Sequence, residues 1–179
     1  MEKINMSNQS LRNLTSSMTL LGAGLCLALS TPAMADEEKT MFVSVKRLSA
    51  EAAISAATAA MLECRKQGYQ ATATVVDKNG IVQAVARDTL APPVSIPISK
   101  AKAYTSVNFS ADTSSMESRA NTGVGSFDGV LMSAGGVVIN VGGVIYGAIG
   151  VSGAPSGTTD EECAKAGVKA IAEDLEMAG

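Results

Sequence analysis

The sequence predicts an α+β domain, an antiparallel sheet with helices packed on it. Three observations carry this. Two stretches rich in β-branched residues each turn back on themselves at glycine-containing turns, Asp77-Lys78-Asn79-Gly80 and Gly142-Gly143. Segments of helical periodicity precede, separate and follow them. The resulting order of helix, hairpin, helix, hairpin, helix favours an antiparallel sheet over a parallel one, because each strand pair is joined by a tight turn.

The first helix is expected over residues 50–67. Ser49 is suited to the N-cap, and Glu51 lies in the first turn, where the helix dipole favours an acid. Ala50, Ile54, Ala57, Met61 and Cys64 recur at helical spacing, and Gly68 is placed to end the helix at C′. A strand follows over 71–77 and returns over 81–87. The turn between them fits either a two-residue Asn79-Gly80 type I′ loop or a type I turn with Gly80 in a bulge.

Pro92-Pro93 makes residues 88–93 a loop. Ser95 is expected to cap the second helix, with Pro97 tolerated in its first turn. On that helix Ile98, Ala101, Thr105 and Phe109 share a face, with Lys100 and Lys102 off it. A short helix is expected near 112–120, and Gly123, Gly125 and Gly129 mark an irregular loop. The second hairpin runs 137–141 and 144–151, and Gly147 and Gly150 imply a bulge or a close backbone approach. Thr159-Asp160-Glu161-Glu162 reads as a capping box, its three acids set against the helix dipole. Ala164, Val168, Ile171 and Leu175 form the buried stripe of that last helix.

Residues 1–35 read as a cleaved export signal. Lys3 and Arg12 precede a short apolar run from Leu20 to Leu29, and Ala33-Met34-Ala35 is a small-x-small cleavage site. The run is about half the roughly twenty residues a membrane span needs. Residues 36–46 form a flexible leader and 47–179 a single domain, with no membrane span after cleavage. The expected location is periplasmic or secreted. An oxidising compartment allows Cys64 and Cys163 to bond, the alternative being two buried free thiols.

Composition excludes several chemistries. Of 179 residues none is histidine, so there is no Ser-His-Asp triad, Cys-His pair or HExxH zinc site. Seventeen acids against fourteen bases, with aromatics at 3%, argue against nucleic acid as a partner. Gly142 and Gly147 have phosphate-loop spacing, but Ala148-Ile149 follows where a lysine would be needed. No nucleophile is paired with a base at a recognised spacing, and no metal-ligand set stands out. Lys100, Lys102 and Tyr104 come nearest, and their plain reading is two solvated lysines and a half-buried tyrosine. Arg87-Asp88 closes a strand beside the Pro-rich loop, either as part of a site or as a surface ion pair.

Six segments taken in order carry a family likeness: Cys64 to Tyr69, Thr74 to Gly80, Val85 to Asp88, Lys102 to Thr105, Gly142 to Ala154, and Asp160 to Gly167. Together they resemble the GlcG/HbpS-like family of small haem-binding proteins, related to the C-terminal domain of PduO-type adenosyltransferases, over about residues 45–176. The resemblance implies a profilin-like domain with a five-stranded antiparallel sheet, including a short strand near 130–133. It also implies homo-oligomers, a haem or other tetrapyrrole ligand, and often export. Many exported members carry cysteines matching Cys64 and Cys163, which favours the disulfide. Many members have a histidine in the loop after the Arg-Asp pair; in this chain Val94 stands there, and valine cannot ligate iron.

The function expected is therefore binding of haem or a related small molecule, not catalysis. The expected site lies between the 88–95 loop, the second helix and the sheet, at Arg87, Asp88, Val94, Lys102, Tyr104 and Thr105. Ile98, Ala101 and Thr105 would line it, and Arg87 or Lys102 would meet propionates. The alternatives are an enzyme acting on haem or a small organic acid, and a ligand-free structural or sensory oligomer.

Overall fold

Helix α1 (Ala50–Lys66) begins where expected, with the Ser49 hydroxyl accepting from the Ala52 amide at 3.2 Å. It ends in a Schellman motif: Gly68 at φ +89° lets its own N–H reach the Arg65 carbonyl and the Tyr69 N–H reach that of Cys64. This computed structural model describes residues 41–178. The export signal, and the leader as far as residue 40, lie outside the described residues. A compact unit extends from Val43 onward.

Strands β1 (Thr72–Asp77) and β2 (Val82–Arg87) form the first hairpin; β3 (Gly136–Val141) and β4 (Val144–Ser152) form the second. All pairings are antiparallel, in the order β2-β1-β4-β3. Asn79 is not in the left-handed region while Gly80 is, at φ +76°. The first turn is therefore the type I form with a glycine bulge, and the register shifts between Val75 and Val76. Gly142 and Gly143, at φ +59° and +79°, give the second hairpin a two-residue type I′ turn.

Successive side chains of a strand face opposite sides, and here both sides are covered. Ala73, Val75, Val137, Ile139, Ile149 and Val151 pack under α1 and α3 (Gly157–Ala178). Val76 and Ala148 pack under α2 (Ser95–Phe109), against Ala103 and Val107. Every residue of β1 is consequently buried. Cys64 on α1 and Cys163 on α3 are joined by a disulfide, with Cα atoms 5.5 Å apart.

The two faces differ in chemistry. Under α2 the sheet presents hydroxyls: Thr72 meets Ser95 at 2.6 Å and Thr74 meets Ser99 at 2.7 Å. Above β4, α2 comes so close that a Cβ on Gly150 would lie 2.1 Å from the Ser99 carbonyl oxygen. The glycines of β4 thus serve the close approach expected of them.

Several expectations are corrected. The sheet has four strands among the described residues, not five. The outer edge of β3 is occupied by the 3-10 helix η1 (Thr113–Arg119) and the residue before it: the Val138 amide donates to Asp112 and the Gly136 amide to Thr113. The backbone of 130–133 joins no strand, and its Leu131 amide donates to the Thr105 hydroxyl. Ser95 does not cap α2; Val94 holds that position without a side-chain bond, and the Ser95 hydroxyl turns inward to Thr72 and the Pro92 carbonyl.

The core side of α1 consists of Ala53, Ala56, Ala57, Ala60 and Cys64, while Ile54 is 57% exposed. Here α1 crosses α3 so tightly that a Cβ on Gly167 would lie 2.6 Å from the Ala56 carbonyl oxygen. That spacing admits alanine and excludes isoleucine. Helix α3 starts at Gly157, and it is the Ser156 hydroxyl that accepts from the Thr159 amide.

Candidate functional site

The six residues expected to bind a ligand are distributed around α2. Val94 stands exposed at its N-terminus. Arg87 and Asp88, at the end of β2, do not pair with each other. Arg87 donates from Nη2 to the Ala91 carbonyl, and Asp88 accepts a two-pronged bond from Arg65, with Nε and Nη2 each at 2.8 Å. Asp88 is buried and also accepts the Thr89 amide. The Arg65 guanidinium beside it holds its carboxyl below the ordinary carboxylate range. These bonds fix the 88–91 turn to α1 and to the end of β2.

Lys102 overturns the expectation of a solvated lysine. Its helix position turns it inward, where Nζ lies 2.7 Å from a carboxylate oxygen of Asp160 and 3.1 Å from the Val151 carbonyl. Its ammonium is committed to these partners. Asp160, expected to act on the dipole of its own helix, is a buried counter-ion and also accepts the Ala154 amide. Burial pushes its carboxyl above the usual value, against the pull of Lys102. Thr105 is fully buried, donating to the Ala101 carbonyl and accepting from the Leu131 amide.

Tyr104 lies on the outer side of α2, half-buried as expected. Its ring runs past two turn glycines. A Cβ on Gly80 would lie 2.7 Å from one ring carbon, and one on Gly129 would lie 3.9 Å from another. Tyr104 lines two hollows. One, of ≈ 350 Å³, is also walled by Pro97, Lys100, Ala101, Asp128 and Gly129. The other, of ≈ 310 Å³, is walled by Asn108, Phe109, Val124, Phe127 and Val130 among others. Apolar and aromatic walls with a few polar groups are the ordinary lining of a small-molecule site. A larger hollow of ≈ 470 Å³ between Lys78, Val107 and the 143–145 turn offers one cation and no aromatic wall.

Of the expected residues, then, Tyr104 faces these hollows, whereas Lys102 and Thr105 face into the protein and Arg87 and Asp88 organise a turn. Sequence reasoning passed over Lys100, Phe109, Val124 and Phe127 as ligand contacts. The signal for the first of these was the i, i+3/i+4 spacing of Pro97, Lys100, Ala101 and Tyr104; the loop residues carried none. Among the described residues no group of three or more His, Cys, Asp or Glu is placed to hold a metal ion. No described helix is long and apolar enough to cross a membrane.

A family model described as "Haem degrading protein HbpS-like" matches residues 48–169. The chain belongs to the HbpS-like family. Among solved structures, HbpS is 35% identical with a TM-score of 0.68, over 72% of this chain and 93% of its own. A double mutant of Streptomyces reticuli HbpS is likewise 35% identical, with a TM-score of 0.67 and coverage of 72% and 89%. The PduOC–haem complex is 23% identical, with a TM-score of 0.65 and coverage of 70% and 95%, a likeness that speaks for the fold. No curated protein matches the chain. This HbpS-like chain thus has its family's sheet and helices with Tyr104 set between two hollows on the outer side of α2.

Proposed function

We propose that this HbpS-like domain is an exported, homo-oligomeric protein that binds haem or a related tetrapyrrole along the outer side of α2 around Tyr104. The observation that carries this reading is the pair of hollows flanking Tyr104, in a chain whose family is described by haem. Phe109, Val124, Phe127 and Val130 supply apolar contact for a porphyrin face. Lys100, exposed at the other hollow, is the cation for a propionate in place of the committed Lys102. The lining offers such a ligand apolar walls, one cation, one phenol and the carboxylate of Asp128. The structural relative PduOC holds haem, which adds support at the level of the fold.

Export is supported by the Cys64–Cys163 disulfide, since such bonds persist in oxidising compartments. Titrating haemin into purified protein lacking residues 1–35 tests binding. A shifted, saturable Soret band is expected, and a spectrum equal to that of free haemin would refute the reading.

A second reading is favoured by the family's description as haem degrading. Under it the same site would turn its ligand over. Incubating the haemin-loaded protein with a reductant in air separates the two: a stable Soret band supports binding alone, and its progressive loss supports turnover.

A further inference from the structure

We propose that, when this chain holds ferric haem, the iron is ligated by the phenolic oxygen of Tyr104; this rests on the haem-binding reading above. Haem iron is held in proteins by imidazole, thiolate, thioether or phenolate. The sequence contains no histidine, which removes the first. Cys64 and Cys163 are joined to each other, which removes the thiolates of the described residues. Met116 and Met132 are 4% and 3% exposed, Met61 on α1 packs against the core, and the exposed Met41 and Met177 line neither hollow. Tyr146 is buried on the α1/α3 side of the sheet, and Tyr69 sits at the C-terminal end of α1.

Tyr104 differs from all of these in its surroundings. It lies on the walls of both hollows, with aromatic and aliphatic side chains on one side and Lys100 and Asp128 on the other. No described residue accepts from or donates to its hydroxyl, and the Asn108 side-chain amide donates to its backbone carbonyl rather than to its ring oxygen. The ring is nevertheless held in place. It passes between Gly80 and Gly129, whose φ values of +76° and +87° favour glycine, and a side chain on Gly80 would collide with it. A fixed ring with a hydroxyl lacking a protein partner, beside apolar walls, is a preorganised donor.

The ligation is a proton-releasing exchange with no change of oxidation state. The phenol O–H bond breaks and its proton goes to solvent, an Fe–O bond forms, and a water molecule leaves the ferric iron. Phenolate is a hard, anionic donor, so it favours the ferric over the ferrous state. Two consequences follow. Affinity for haemin falls as pH falls, because protons compete with iron for the phenolate. Affinity also falls when the iron is reduced.

The test uses the disulfide-bonded protein lacking residues 1–35, loaded with haemin, with resonance Raman and visible spectra recorded across pH. Phenolate vibrations enhanced by an iron–phenolate charge-transfer transition are expected in the wild type. Tyr104→Phe keeps the ring between Gly80 and Gly129 and removes only the oxygen. It is expected to lose those vibrations and to bind haemin roughly tenfold or more weakly, because the coordinate bond to the iron is lost. Tyr69→Phe and Tyr146→Phe are expected to retain both. If wild type binds haemin without phenolate vibrations, or Tyr104→Phe gives the wild-type spectrum, this proposal fails while haem binding stands. If wild type shows no saturable Soret shift, the binding reading itself fails. If Tyr104→Phe does not fold, retention of the phenolate vibrations in both Tyr69→Phe and Tyr146→Phe assigns them to Tyr104, the third of the three tyrosines, and their loss in either overturns the proposal.

Discussion

Lys102 Nζ lies 2.7 Å from the Asp160 carboxylate, with both side chains only 5% exposed. The pair joins α2, on one face of the sheet, to the first turn of α3, on the other. A side chain in place of Gly135 would collide with it, its Cβ 2.7 Å from the ammonium. Removing either charge leaves the other buried.

Lys102→Met is expected to lower stability by about 3–5 kcal/mol at neutral pH, the usual cost of stranding a buried charge. Lys102→Met with Asp160→Asn removes both charges and keeps an acceptor for the Ala154 amide, so it should recover much of that loss. The sign with pH follows from the direction of the Asp160 shift. Burial raises its folded-state value, so its ionisation opposes folding as pH rises through that value and ceases to do so below the unfolded carboxylate value. The deficit of the single variant should therefore shrink on acidification, read by urea unfolding at neutral and at acidic pH.

Asp88 titrates in the opposite sense. Its bonds from Arg65 lower its folded-state value, so the stability it contributes is present above the unfolded carboxylate value and lost as pH falls through the depressed one. Arg65→Met should move the acid-unfolding midpoint to higher pH. Circular dichroism across an acid titration measures this, and an unmoved midpoint would contradict it.

Gly150→Ala should cost about 1–3 kcal/mol or more, because the methyl has to displace the α2 backbone at Ser99 and Ala103. Gly142→Ala meets no atom within 4 Å and bears only the left-handed backbone cost of about 1–2 kcal/mol. Paired thermal melts should also show the first variant loosening α2, seen as faster amide exchange at Ser106 and Val107, and the second leaving those amides unchanged.

The Cys64–Cys163 bond spans a sequence separation of 99. Chain entropy assigns about 4.7 kcal/mol to a loop of that size, and measured losses for small domains run about 2–5 kcal/mol. Cys64→Ala with Cys163→Ala should lower the urea midpoint accordingly. Reductant should lower the wild-type midpoint and leave that of the double variant unchanged.

Local chemistry made much of this molecule legible in the sequence. Ser49 and Gly68 bound α1, Gly80 and Gly142-Gly143 fix the two hairpins, and the stripe from Ala164 to Leu175 gives the buried side of α3. These signals act over a few residues, so they survive without knowledge of the rest of the chain. The family likeness also rests on short segments kept in order. Periodicity misled where layers approach closely: on α1 the large Ile54 is outside and alanines are inside, because the gap to α3 is too narrow for a branched side chain.

By itself, the sequence determined the helices, the hairpins, the cysteine pair available for bonding and the want of any histidine ligand. Tertiary structure decided the rest. It placed Lys102 against Asp160 rather than in water, filled the β3 edge with Asp112 and Thr113 rather than a fifth strand, and left Tyr104 between two glycines beside open hollows. Each of those outcomes depends on groups 20 or more residues apart competing for one space or one hydrogen bond, and a local pattern does not record which of them arrives there.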